Sequence, residues 1–129
     1  MHERRLKEID LLRERYGSLQ HGEDLEWIVF EGFGLLDCWN RQKTRLLVLV
    51  PPGYPVTPPD NFYVEEGLRT ASGNMPANYT ENQTHLGQQW GQFSFHAEKG
   101  HWRPSADVLD GDNLITFMIQ VERRLEEAN

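Results

Sequence analysis

Cysteine is all but missing from this chain: Cys38 is the single one in 129 residues. One thiol cannot close an intrachain disulfide or build a cysteine cluster around zinc, so the sequence suits a reducing compartment, with Cys38 packed as a small apolar side chain. Long hydrophobic runs are missing too. Nothing approaches the roughly 20 consecutive apolar residues of a membrane helix. The opening Met1-His2-Glu3-Arg4-Arg5 leads into an amphipathic pattern rather than an apolar leader, and the expected location is cytoplasmic. Positive charge is in deficit, with 13 Lys and Arg against 20 Asp and Glu, a net of -7. Affinity for nucleic acid comes from clustered cations, so the expected partners are proteins, with no nucleic acid and no membrane. The basic residues that do gather, Arg4, Arg5, Lys7, Arg13 and Arg15, alternate with Glu3, Glu8 and Glu14. That reads as a mixed solvated helix face in preference to a docking surface.

Proline is sparse except in one place. Pro51-Pro52-Gly53-Tyr54-Pro55-Val56-Thr57-Pro58-Pro59 holds five of the seven prolines and directly follows a run of apolar strand formers. Each proline fixes its own φ, removes a donor and pushes its predecessor toward extended geometry, so the segment is neither helix nor inner strand. It reads as a stiff, shaped loop closing a strand. A polyproline docking ligand fits poorly, because the stretch is short and embedded between patterned segments.

Around this loop the spacing predicts an α+β domain occupying residues 1–129. Leu6, Ile9, Leu12 or Arg13, and Tyr16 recur at helical spacing, and Gly17 is placed to end a helix over 3–16. Strands are expected at Trp27–Phe33, Leu35–Trp39, Arg45–Val50 and Asn61–Val64, a four-stranded antiparallel meander. Some 40 residues then lack sustained periodicity and read as a long irregular crossover; Trp90, Phe93, Phe95 and Trp102 within it need a core. Leu114, Phe117, Met118, Val121 and Leu125 form the apolar stripe of a last helix, entered through Asp110 or Asp112 as caps.

This order, with Tyr54-Pro55-Val56-Thr57-Pro58-Pro59 and the later Trp102-Arg103-Pro104, resembles the ubiquitin-conjugating enzyme (UBC-like) fold, here in a minimal version with one C-terminal helix. It is most similar to the bacterial branch called prokaryotic ubiquitin-conjugating family E. The residues that carry the likeness are Pro51-Pro52-Gly53-Tyr54-Pro55, Pro59-Asp60-Asn61-Phe62-Tyr63 and Trp90-Gly91-Gln92-Phe93-Ser94-Phe95-His96. The resemblance implies a carrier that accepts a ubiquitin-like C-terminus from a ThiF-like activating enzyme and passes it to an amine on a protein target. It implies as well a ubiquitin-like partner that is often built of tandem domains; no cofactor and no metal are expected. It also implies a structural frame around the site made by Tyr54, Pro55, Pro58, Pro59, Trp102 and Pro104.

The chemistry departs from that pattern. Relatives place a thioester-forming cysteine eight residues before the tryptophan, and eight residues before Trp102 stands Ser94. The His-Pro-Asn signature is also absent; Thr84-His85-Leu86 lies near its place, leaving His85, Asn78 or Asn82 to stand in for its oxyanion-stabilising asparagine. A serine hydroxyl attacks an acyl group only with a base nearby, and His96, two residues on in extended chain, would share its face. His85 and His101 are alternative bases, and Asp107 or Asp110 could orient or deprotonate an incoming amine. The expected intermediate is an oxyester on Ser94. The alternative is an inactive adaptor that binds the ubiquitin-like protein or the activating enzyme, with Ser94 capping a turn and His96 merely hydrogen-bonded. Hydrolysis by a metal held on His85, His96 and His101 matches no established ligand spacing.

The same framework expects Trp102 to be buried beside the proline loop. Truncating it to Ala should then cost about 3–5 kcal/mol in urea unfolding, and a loss below about 1 kcal/mol would count against that placement.

Overall fold

The computed structural model describes residues 2–96 and 102–128. Helix α1 (His2–Tyr16) leads to β1 (Leu19–His21), β2 (Trp27–Gly34), β3 (Lys43–Leu49) and β4 (Asp60–Glu65). The hairpin β5 (Tyr79–His85) and β6 (Gln88–His96) follows, then α2 (Leu114–Arg124). All six strands form one sheet in the order β1-β2-β3-β4-β6-β5, every neighbour antiparallel.

The sheet therefore has six strands where four were expected. β1, for which no strand was expected, pairs with β2 through Leu19↔Phe30, and two further differences lie along the chain. Leu35–Trp39 is a turn rather than a strand; Trp39 makes only an isolated bridge to Thr70. Cys38 consequently sits in that turn, half-buried, its Sγ directed at the Glu126 carbonyl at 3.8 Å, and not inside the sheet. The stretch read as an irregular crossover contains the β5–β6 hairpin. Its turn is Leu86–Gly87 with both φ positive (54° and 73°), the hand that matches strand twist, but a leucine in that role gives no sequence signal. β5 is polar apart from Tyr79 because it is the sheet's edge.

Both helices lie on one face. Ile9 and Leu12 of α1 and Leu114, Phe117, Met118 and Val121 of α2 share a core with Ile28, Phe30, Phe33, Leu46, Val48, Phe62, Val64 and Phe93. Phe30 and Phe33 reach the same face although three residues apart because β2 bulges between them, which resets the alternation. On the opposite face Val29, Leu47, Tyr63 and Trp90 form a second, smaller cluster, so Leu46-Leu47-Val48 is covered on both sides.

The stripe of α1 also differs from expectation. Leu6 is exposed, whereas Glu8 is fully buried with Ile9 and Leu12. Its carboxylate accepts from Arg4 Nε (2.9 Å), from the Leu114 amide (2.6 Å) and from the Tyr54 hydroxyl. Burial, with the Glu8 charge beside it, pushes the Tyr54 hydroxyl well above the usual phenol range and keeps it a donor. Arg4 and Arg5 are likewise inward-working: Arg4 donates to the Ser105 and Asp112 carbonyls, Arg5 to the Pro51 carbonyl. Gly17, at φ 79°, closes α1 by returning its amide to the Arg13 carbonyl at 2.9 Å.

Helix α2 is capped by Asn113 rather than by Asp110 or Asp112. The Asn113 side chain accepts from the Thr116 amide (2.9 Å) while the Thr116 hydroxyl accepts from the Asn113 amide (3.0 Å), a complete capping box. Asp112 instead receives the Arg103 amide at 2.7 Å and fastens the loop before the helix.

Removing the Glu8 carboxylate by Glu8→Ala leaves Arg4, Tyr54 and the Leu114 amide without their acceptor, and a loss of about 3–5 kcal/mol in urea unfolding is expected. A second expectation concerns acid. The Arg69 guanidinium and the Gly67 amide hold the Glu81 carboxyl down at about 2 against an ordinary 4.5. With the folded value depressed, the stabilisation is fully present above about pH 4.5 and fades as pH falls toward 2. Melting temperatures of wild type and Glu81→Gln should therefore differ at neutral pH and converge toward pH 2; a constant gap would remove Glu81 as an acid-sensitive tie.

Candidate functional site

The loop 51–59 joins the end of β3 to the start of β4, and the same end of the sheet receives the end of β6 through the pair Asp60↔His96. The loop is rigid by construction. Tyr54 is fully buried beneath it, the Tyr54–Pro55 peptide is cis, and the amides of Tyr54 and Thr57 return to the carbonyls of Pro51 and Gly53 at 3.0 Å each. Gly53 lies close under Thr57, where a Cβ would stand 2.8 Å from Oγ1 and oblige that side chain to shift. Pro59 is buried and Pro58 half-buried where the loop enters β4. Trp102, 8% exposed, donates its indole N–H to the Pro55 carbonyl at 2.7 Å and packs against Tyr54, ring centres 6.4 Å apart. Pro104 bridges to Asp112, so the chain leaving Trp102 is tied to the base of α2.

Ser94 and His96 occupy alternate positions at the end of β6, both exposed and on the same face, while Phe93 and Phe95 point into the core. Phe93 stacks on Phe62 at 4.9 Å, and Phe95 meets Phe62 and Phe117 at 5.5 and 5.8 Å. The serine is thus carried on a strand anchored on either side of it. Its amide donates to the Asn78 carbonyl at 2.8 Å, which sets Asn78 beside it on β5's approach. His96 Nδ1 contacts Asp60 Oδ1 across the β4–β6 ladder, with both side chains largely solvent-exposed. No hydrogen bond joins Ser94 to His96.

The other candidates are placed elsewhere. His85 pairs with Gln88 at the far end of the hairpin, six residues along β6 from Ser94, roughly 20 Å at the strand rise. It packs on Tyr63 (4.6 Å), beside the second cluster, and the structure does not bring it together with Ser94 or His96. Asn82 lies in β5 beyond Asn78, its amide given to Glu66 at 2.7 Å. Asp107 accepts the Leu109 amide at 2.9 Å and, through its carbonyl, the Asp110 amide at 3.0 Å, a turn-forming role with no bond to Ser94 or His96. His101 lies outside the described residues. Among the described residues no three His, Cys, Asp or Glu side chains converge as a metal site. A groove of about 800 Å³ between α1, the end of β2 and α2 is lined by Tyr16, Gly32, Leu36, Glu122 and Leu125, away from Ser94.

Two residues of this end were not singled out for chemistry by their sequence: Asp60 and Asn61, which meet β6 by ladder pairing across some 35 positions. No spacing rule carries that information; only the motif Pro59-Asp60-Asn61-Phe62-Tyr63 marks the segment.

No helix is long and apolar enough to cross a membrane among the described residues. No curated protein and no solved structure matches the chain. The family model of Prokaryotic E2 family E matches residues 3–128, which takes in α1, the sheet, the proline loop and α2, and the chain belongs to that family, a bacterial family of UBC-like proteins.

Proposed function

We propose that this protein is an acyl carrier that takes a ubiquitin-like C-terminus as an oxyester on Ser94 and delivers it to a protein amine. Family membership supports the conjugating-enzyme type of activity and dealings with an E1-like enzyme and a ubiquitin-like protein in general. The observation that carries the finer reading is the placement of Ser94: exposed, anchored between Phe93 and Phe95, and on one face with His96 at the end of the sheet bordered by the proline loop.

In the loading step Ser94 Oγ attacks the activated acyl carbon of the modifier, presented by a ThiF-like activating enzyme as a thioester or acyl adenylate. The Oγ–C bond forms, the bond to the thiolate or AMP breaks, and the hydroxyl proton passes to His96. Asn78, whose carbonyl accepts the Ser94 amide across the ladder, is the candidate to stabilise the developing oxyanion through its side-chain amide. Transfer reverses the roles: an amine displaces Oγ, its surplus proton passes to His96, and the imidazole delivers a proton to the departing Oγ. An ester is a weaker acyl donor than a thioester, so delivery demands more help from the acceptor side.

The missing cysteine, and the absence of a Ser94–His96 hydrogen bond, favour a second reading, a non-catalytic adaptor that holds the modifier or its activating enzyme. Mass spectrometry of the protein after incubation with its cognate activating enzyme, ubiquitin-like protein and ATP separates the two. The carrier yields an adduct that survives thiol reductant, is released by hydroxylamine and is absent from Ser94→Ala. An adaptor yields no adduct, and its binding and the overall conjugation are unchanged by that substitution.

A further inference from the structure

Exposed serines and histidines are ordinary on a surface; a backbone built to present them is not. Between the pairs Asp60↔His96 and Phe62↔Phe93, β4 supplies one residue, Asn61, and β6 supplies two, Ser94 and Phe95. This is a β-bulge, and it would leave the Phe95 amide without a ladder partner. Asn61 supplies one: in the left-handed region at φ 63°, which asparagine tolerates, it turns its side chain so that Oδ1 accepts the Phe95 amide at 3.0 Å. The Ser94 amide is meanwhile taken by the Asn78 carbonyl at 2.8 Å. Both β6 backbone donors of the bulge are committed, and Phe95 is pinned from the core side by Phe62 and Phe117.

The residue before Asn61 handles the side chains. Asp60 Oδ1 meets His96 Nδ1, and an ionised carboxylate can only accept, so Nδ1 carries the proton and Nε2 is left as the basic nitrogen. An ion pair this exposed contributes little to stability. Its effect is on the orientation and tautomer of the imidazole.

We propose that Asp60 and Asn61 are the positioning residues of the carrier site: Asp60 holds His96 with Nε2 free toward the face of Ser94, and Asn61 locks the bulge that carries the serine. The inference rests on the acyl-carrier reading for its use, while the positioning itself stands on the ladder geometry and is measured separately.

Long-range 15N spectra of the imidazole rings report the tautomer directly, with Ser94 reactivity followed in parallel by intact-mass labelling with a fluorophosphonate. In that labelling Oγ–P forms, fluoride leaves and the proton goes to His96. Wild type should show His96 as the Nδ1–H tautomer. Asp60→Asn should shift it toward Nε2–H and slow Ser94 labelling about tenfold or more, while adding no further loss in a His96→Ala background. Asn61→Gly keeps the backbone conformation but removes the acceptor, and should speed hydrogen exchange at the Phe95 amide and slow labelling together. A tautomer indifferent to Asp60→Asn, or an equal loss with His96 already removed, would overturn the role of Asp60. Unchanged exchange at Phe95 would overturn that of Asn61. If the tautomer responds but Ser94 never labels, the positioning stands and the acyl-carrier reading falls.

Discussion

The buried carboxylate of Glu8 is the tie on which the rest of the molecule depends. Taking a charge out of water is costly, and only several well-directed donors offset it. Here those donors come from three places far apart in sequence: Arg4 in the same helix, the Tyr54 hydroxyl beneath the proline loop, and the first amide of α2. The last also sets a negative charge at the positive end of the helix dipole. One side chain thereby fixes the angle of both helices to each other and the height of the loop above the sheet. Trp102 hangs from the loop's Pro55 carbonyl, and Arg4 and Arg5, from the same stretch of α1, donate to the carbonyls of Ser105, Asp112 and Pro51. The end of the molecule that carries Ser94 is therefore braced by a polar lattice, whereas the middle of the sheet is held by apolar packing on both faces.

Irregularity in the strands is concentrated where it changes direction or presentation. The β2 bulge lets Phe30 and Phe33 both face the helices; the β5 bulge opposes Gly91, where a Cβ would stand 2.0 Å from the Tyr79 hydroxyl; the β6 bulge carries Ser94. Glycine at 91 is thus the condition for Tyr79 to lie across the hairpin and reach Glu81. Burial and the neighbouring Glu81 carboxylate push that phenol up to about 12, so it too remains a donor.

What could be read from the residues divides along a physical line. Helix α2 was legible because its stripe of Leu114, Phe117, Met118 and Val121 is buried by the periodicity alone, and the proline loop because proline acts on its own backbone. Glu8 was misread as part of a solvated face, since a charge pattern says nothing about which glutamate finds enough donors to be buried. The β5–β6 hairpin stayed hidden because an edge strand needs few β-branched residues and its turn uses a leucine. Asn113 lost the cap to two aspartates in the reading because all three are good caps, and the choice between them is made by Thr116 three residues on. At the site, the spacing of Ser94 and His96 was local and visible. Their partners Asp60, Asn61 and Asn78 arrive through strand pairing, which sequence spacing does not encode, while His85 looked close in sequence and lies at the other end of the ladder.

The outer rim of the sheet has a bearing on how the molecule behaves in company. β5 leaves a row of backbone groups facing outward, the kind of margin on which a second copy could extend the sheet indefinitely. Midway along it, Asn82 turns to φ 66°, the register slips, and the Asn82 amide is already consumed by Glu66. The rim is bent and its central donor withheld, flanked by the carboxylates of Glu66 and Glu81. That margin is in this way a poor template for strand addition by a second copy of the chain.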